Sequence, residues 1–305
     1  MFKKGVNKVI LDQDEIIQVG NKGDIAELVE KFYTENPFPN YDNFETISEL
    51  RKKVEKNQFS INLKKLIGFG KRIIEVGSGT SQLSIALASS TNNQVVAFDP
   101  TLASLHLGSE FSKKYRVPNC IFVNGDLFSN PFLEEYFDIV YCSGVLHHTE
   151  NPKKGFKIIT SWLKREGYVI IGLYNFYGRL RTVFRQKLFR LLGSGKFGSY
   201  IVSLLDPILR KEMSENKRKA WFQDQYEHPV ESLHTLDEVL RWFDENNIEF
   251  VSSIPACDRN NIVYEKIFSN QNKGNLFTRI LSQISMLFSS LGSEGGLFLV
   301  IGKKT

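Results

Sequence analysis

The chain has 305 residues, 42% of them hydrophobic and 24% charged, a composition that excludes disordered, collagenous and coiled-coil classes. Thirty-nine basic against 34 acidic residues give a net charge of +5, which admits an anionic partner without requiring one. Cys120, Cys142 and Cys257 are widely spaced and form no CxxC pair, so neither a disulfide framework nor a zinc site is expected, and a reducing, cytoplasmic setting is.

In chain order, the first residues contain no uninterrupted apolar core before Asp12, so no secretory signal is expected. No run of eighteen apolar residues occurs, so no transmembrane helix is expected either. Residues 1–24 are polar and punctuated by Gly5, Gly20 and Gly23; Asp24 is placed to cap a helix through IAELVEKFYTE. Pro37 and Pro39 then break the helix among Tyr33, Phe38, Tyr41 and Phe44, a segment that reads as a lid or as aromatics packed on the sheet edge. Residues 45–66 read as helical, which gives an expected N-terminal helical cap over 1–66.

From Lys71 the texture changes. RIIEV, QVVAFD, CIFVNGD, FDIVYC and YVIIGLY are short apolar runs separated by helix-like segments, the pattern of a parallel sheet covered on both faces. An insert over 175–234 interrupts that rhythm. Up to residue 220 it holds eleven Lys and Arg against three acids. Val183, Phe184, Leu188 and Leu191, with Arg181 and Arg185, suggest a basic amphipathic helix. Thr235 to Glu238 is a capping-box pattern, IEFVSSIP reads as a sixth strand, residues 276–291 as a helix and GLFLVIGKK as the last strand. The expected architecture is α/β, with a mostly parallel seven-stranded sheet over 67–305.

The segment RIIEVGSGTSQLSIALA is strand, glycine turn, helix. Gly77 and Gly79 let the backbone approach a ligand, and the helix start would aim amides at it. Asp99, at the tip of the second strand, can accept two hydrogen bonds from a ribose diol. A dinucleotide fingerprint needs glycine at position 82, which is Gln82, so a nucleotide-dependent oxidoreductase is disfavoured. Asp126 ends the third strand, where it serves an adenine amine or merely a turn.

Glu75-Val-Gly77-Ser-Gly79, Asp99, Gly125-Asp126, Phe137-Asp-Ile-Val and Gly144-Val-Leu-His-His-Thr-x-x-Pro152 together resemble the successive motifs of class I S-adenosylmethionine-dependent methyltransferases. The resemblance is clearest over residues 70–175. It implies a Rossmann-like fold with helices on both faces and an antiparallel last strand inserted beside the fifth. S-adenosyl-L-methionine is the implied cofactor, S-adenosyl-L-homocysteine the product, and no metal is expected. Carried position by position, the resemblance puts Glu75, Gly77, Ser78 and Gly79 along the methionine and ribose. Asp99 with Pro100 would hold the ribose hydroxyls, and Asp126 with Leu127 the adenine. The backbone from Cys142 and Ser143 to Val145 would run beneath the cofactor. Ser81 stands where the family usually has a third glycine.

His147 and His148 would face the transferred methyl, or simply close a turn. A histidine has a suitable pKa to take a proton from an acceptor. His228 and Tyr226, in the dense stretch DQYEHPVESLH, are expected acceptor contacts, unless that stretch is a polar loop with a helix cap. The expected acceptor is a small or lipid-linked metabolite. Contact of 175–220 with an anionic membrane or with RNA stays open, as do an RNA methyltransferase and a catalytically inactive cofactor-binding assembly protein.

Overall fold

The computed structural model describes residues 1–11, 15–35, 37, 46–56, 58–193, 195–258, 267–289, 291 and 295–305. Phe38, Pro39, Tyr41 and Phe44, read as a lid, lie outside the described residues.

Five strands form the parallel centre: β3 (Arg72–Val76), β4 (Gln94–Asp99), β5 (Cys120–Asn124), β6 (Phe137–Ser143) and β7 (Leu163–Tyr174). β8 (Ile248–Ile254) and β9 (Leu297–Lys304) follow, with β9 antiparallel between β7 and β8, as the resemblance implied. The described sheet has nine strands rather than seven. The first 24 residues, read as a polar segment, contain a hairpin of β1 (Lys8–Leu11) and β2 (Ile16–Val19), and β2 pairs parallel to β5. Four-residue strands are too short to stand out from the sequence by alternation. The full order is β1-β2-β5-β4-β3-β6-β7-β9-β8.

The continuous apolar runs are explained by burial of both faces. In β4, Val95 and Ala97 join one core while Val96 and Phe98 join the other; in β7, Ile170 faces the first and Val169, Ile171 and Leu173 the second. Helices α2 (Ile47–Val54), α3 (Gln58–Ile67), α4 (Gln82–Ala88) and α5 (Leu102–Lys114) cover one face through Leu50, Leu63, Ile85 and Leu105. Helices α6 (Pro152–Ser161) and α10 (Leu236–Glu245) cover the other through Phe156, Trp242 and Phe243. Thr235 accepts from Glu238 N as the capping pattern predicts, while the Glu238 carboxylate bonds His234.

The strand order reverses on either side of β3, and in such sheets ligands bind beyond the carboxyl ends at the reversal. Helix α1 (Asp24–Glu35) lies over that end. It starts one residue earlier than the Asp24 cap implied: Glu27 N donates to Gly23 O, so Gly23 holds the cap position.

The insert is helical, with α7 (Leu180–Leu192), α8 (Lys196–Leu205), α9 (Glu215–Phe222) and a π turn over Gln223–Glu227. It has a small core of its own in Phe189, Val202, Leu209 and Tyr226. The amphipathic reading of α7 is corrected: Thr182, Arg185 and Phe189 face inward, while Phe184 and Leu191 are exposed. Helix α11 (Leu276–Ser285) and a 3-10 turn over Met286–Phe288 precede β9.

Candidate active site

One cavity of about 710 Å³ lies beyond the carboxyl ends of the parallel strands. Its floor at one end is backbone. Gly77 and Gly79 turn the chain out of β3 with φ of +68° and +52°, and the amides of Gly77 and Ser78 donate to Phe98 O at 2.7 and 3.2 Å. A Cβ on Gly77 would stand 2.2 Å from Val145 Cγ2, so only glycine fits. Ser81 also adopts a left-handed conformation, φ 62°, which costs a serine what it would not cost a glycine.

Glu75 is buried beneath this loop. Its Oε2 accepts from Ser84 N at 2.9 Å and Ser84 Oγ at 2.5 Å, so an α4 amide expected to point at a ligand is taken by the protein itself. Burial pushes the Glu75 carboxyl up to about 7.

Asp99 Oδ1 accepts from Thr101 N at 2.7 Å and Oδ2 from Gly79 N at 2.8 Å. Burial raises its pKa. Asp126 is tied to Phe128 N at 2.9 Å and Gly23 N at 3.0 Å. Each carboxylate has about four acceptor positions, so both retain capacity toward the cavity. These residues fit an adenosine: Asp99 could accept from two hydroxyls and Asp126 from an amine, with Leu127 and Pro100 as apolar walls. Glu75, Gly77, Ser78, Gly79, Asp99, Pro100, Asp126, Leu127 and Ser143 all line the cavity. Cys142 does not; it is fully buried in the core beneath, and burial raises its thiol pKa. Gln82, the residue that displaces the dinucleotide glycine, accepts from Lys53 Nζ at 2.9 Å.

The other end of the cavity is built from side chains. Asp224 Oδ1 accepts from Tyr33 Oη at 2.7 Å; its Oδ2 accepts from Gln225 Nε2 at 2.8 Å and from Tyr174 Oη at 3.4 Å. Burial and the nearby carboxylate raise both tyrosine pKa values, so the phenols stay protonated donors. Arg179 lies behind, fully buried, with its guanidinium 3.4 Å from the Tyr174 ring centroid. It makes a two-point contact with Glu231 at 2.8 and 2.5 Å and donates to Gln225 Oε1 and Gly295 O, both at 2.7 Å.

The structure brings three of the expected catalytic residues together. The His147 and His148 rings are 4.2 Å apart, and His148 stacks on His228 at 3.6 Å. Of the three, only His148 lines the cavity. Its Nδ1 is 2.6 Å from Val230 O, which fixes the proton on Nδ1 and leaves Nε2 as the acceptor nitrogen. Burial lowers the pKa of all three, that of His228 to about 3. Tyr226 is elsewhere: its hydroxyl donates to Asp206 at 2.6 Å and accepts from Arg185 Nε at 2.8 Å, inside the insert. His234, another base candidate by residue type, is committed to Ser232 and Glu238.

Sequence reasoning did not single out Tyr174, Trp221 or Arg179. Tyr174 ends β7, so the strand-tip argument that selected Asp99 would have found it. Nothing local marks Arg179, whose partners Gln225, Glu231 and Gly295 are 46, 52 and 116 positions away. Among the described residues no three His, Cys, Asp or Glu side chains are grouped to hold a metal ion.

A glycine-turned strand end and two strand-tip acids thus line one cavity at the reversal of a mixed α/β sheet. Residues 74–171 match the family model described as a methyltransferase domain, within the stretch where the sequence resembles the class I S-adenosylmethionine-dependent methyltransferases. The chain is 27% identical over 219 residues to an uncharacterized protein of Synechococcus, an alignment covering 66% of this chain and 52% of that protein. It is 31% identical over 125 residues to a demethylmenaquinone methyltransferase of Renibacterium salmoninarum, covering 40% and 50%. The chain thus spans about half the length of the curated relatives it matches. Among solved structures, PKMT2 from Rickettsia typhi superposes with a TM-score of 0.56 at 12% identity, covering 83% of this chain and 53% of that one, a likeness of fold.

Proposed function

We propose that the protein transfers a methyl group from S-adenosylmethionine to a small or lipid-linked acceptor, which enters between α1 and the insert. The observation that carries this reading is the continuity of one cavity: the adenosine cradle at one end opens into the compartment of Tyr33, His148, Tyr174, Trp221 and Asp224. When bound, the cofactor supplies an electrophilic methyl carbon on a positively charged sulfur.

The chain's own residues have three tasks. Asp99 and Asp126 hold the nucleoside, and Glu75 fixes the loop between them. Asp224, kept in place by Tyr33 and Gln225, holds the acceptor, and alignment of acceptor with carbon is the main source of rate in such a displacement. His148 takes the acceptor's proton at Nε2. Desolvation keeps its imidazole neutral and ready, while the charges of Asp224 and Glu231 favour the imidazolium once formed. In this reading His147 and His228 position the His148 ring, and Tyr226 braces the insert.

Isothermal titration of S-adenosylmethionine against wild type, Asp99→Ala and His148→Asn tests the assignment together with turnover. Loss of two charge-assisted bonds in Asp99→Ala should weaken cofactor binding about 100-fold. His148→Asn should bind cofactor like wild type and lose roughly 100-fold in kcat once an acceptor is found. A wild type that binds no cofactor sinks the whole reading; full turnover in His148→Asn removes only the base.

A further inference from the structure

The insert is built inside out. Helix α7 turns Thr182 and Arg185 inward, where Arg185 bonds Tyr226, and turns Phe184 and Leu191 to solvent at 65% and 83% exposure. These two are seven positions apart and share one stripe. Helix α8 repeats the arrangement: Gly198 and Val202 are buried, while Phe197 and Tyr200 are 66% and 63% exposed, with Leu204 and Leu205 beside them. Single exposed apolar side chains are ordinary, but six on two adjacent helices are a patch. Around the patch stand exposed Arg181, Lys187, Arg190 and Lys196, and residues 176–205 contain no Asp or Glu.

We propose that the α7–α8 face docks on an anionic lipid bilayer. Leu191, Phe197 and Leu204 would enter the acyl boundary while the basic side chains meet lipid phosphates, the division of labour of an interfacial amphipathic helix. The charge favours this occupant over a second copy of the chain, because a symmetric contact would press the same cationic surface against itself. Leu191, Leu204 and Leu205 neither stack on bases nor bond to phosphates, so half of the patch has no use in RNA binding, and the RNA that Phe184, Phe197 and Tyr200 could stack on is an outcome of the test. The proposal deepens the acceptor reading without needing it. The insert's inner side, through Trp221, Asp224 and Gln225, is a wall of the cavity, so docking would bring the acceptor end to the lipid surface.

Vesicle flotation tests it with the whole chain. Wild type should float with vesicles of equal phosphatidylcholine and phosphatidylglycerol, at least tenfold less with phosphatidylcholine alone, and less again in 0.5 M salt. Leu191→Ser with Phe197→Ser should lose flotation at least tenfold with an unchanged melting temperature and unchanged S-adenosylmethionine affinity, which keeps this result separate from the cofactor reading. Lys187→Glu with Arg190→Glu should lose it too. No flotation by wild type, equal flotation by the variants, tighter capture of an RNA oligonucleotide than of vesicles, or a dimer that the Ser variant dissolves would each overturn the proposal.

Discussion

The two ends of the cavity are held by different physics. The cofactor end is made from strand tips and tight turns contiguous with a buried sheet, and most of its hydrogen bonds use backbone amides: Gly77, Ser78, Gly79, Ser84, Thr101 and Phe128 all donate. The acceptor end has side chains bonding side chains from α1, β7 and the π turn, with Arg179 donating also to the backbone carbonyl of Gly295. A backbone cradle tolerates little change of residue at the turns. A side-chain network is respecified by a few substitutions, which suits the acceptor selection proposed for this end.

The sharpest way to break that contrast is Arg179→Ala. The guanidinium is fully buried and satisfies Glu231, Gln225 and Gly295 at once, so truncation leaves an unpaired carboxylate and should cost roughly 5 kcal/mol. Hydrogen exchange should show lost protection around Gln225 and Glu231 while β3 and β4 stay protected, and cofactor affinity should change less than about threefold. Collapse of cofactor binding in a folded Arg179→Ala would mean the two ends are one unit. The counterpart is Gly77→Ala, which adds a left-handed alanine and a methyl inside Val145, together about 4 kcal/mol. Cofactor binding should be lost, and Val145→Ala in the same chain should restore part of it, since the clash is pairwise.

This division also explains what was legible in the sequence. The glycine turn, Asp99 and Asp126 are local features at fixed spacing after apolar strands, and the structure sets them along one cavity. The strands from β3 to β9 were legible as apolar runs, while the place of β9 beside β7 was implied by the resemblance alone. What could not be read is non-local. Tyr33 and Asp224 are 191 positions apart and meet only because α1 folds over the sheet end. A side chain has no direction in the sequence, and packing alone places His148 at the cavity and Tyr226 against Asp206. The β1–β2 hairpin escaped because four-residue strands carry little pattern. The α7 stripe was read with the usual polarity, which Arg185 reverses by finding Tyr226 inside.

A third test stays within the cofactor end and uses pH. Burial raises Glu75 to about 7, so the folded protein binds this proton more tightly than the unfolded chain does. Its contribution is therefore favourable below the ordinary carboxylate range, declines as pH rises toward 7 and levels off above it. The span corresponds to about 3 kcal/mol. Glu75→Gln keeps an oxygen for Ser84 and removes the titration. Its melting temperature should exceed that of wild type at pH 8 and match it at pH 4.5, whereas parallel curves would show that Glu75 does not set the slope.

The smallest expected effect separates family habit from physical need. Ser81 occupies the usual glycine position and pays for it in backbone strain, while its hydroxyl sits 3.2 Å from Ser78 Oγ. Ser81→Gly relieves the left-handed conformation, forfeits that contact and gives the unfolded chain more freedom, so the net change should lie within about 1 kcal/mol. Denaturant midpoints resolve such a difference, and calorimetric titration shows whether the cofactor notices it. Unchanged affinity would mean that the cradle depends on the shape of the turn and not on which residue adopts it. Tighter binding would mean that the strain at Ser81 displaces the loop from the geometry its ligand prefers, and the backbone end would then be tunable after all.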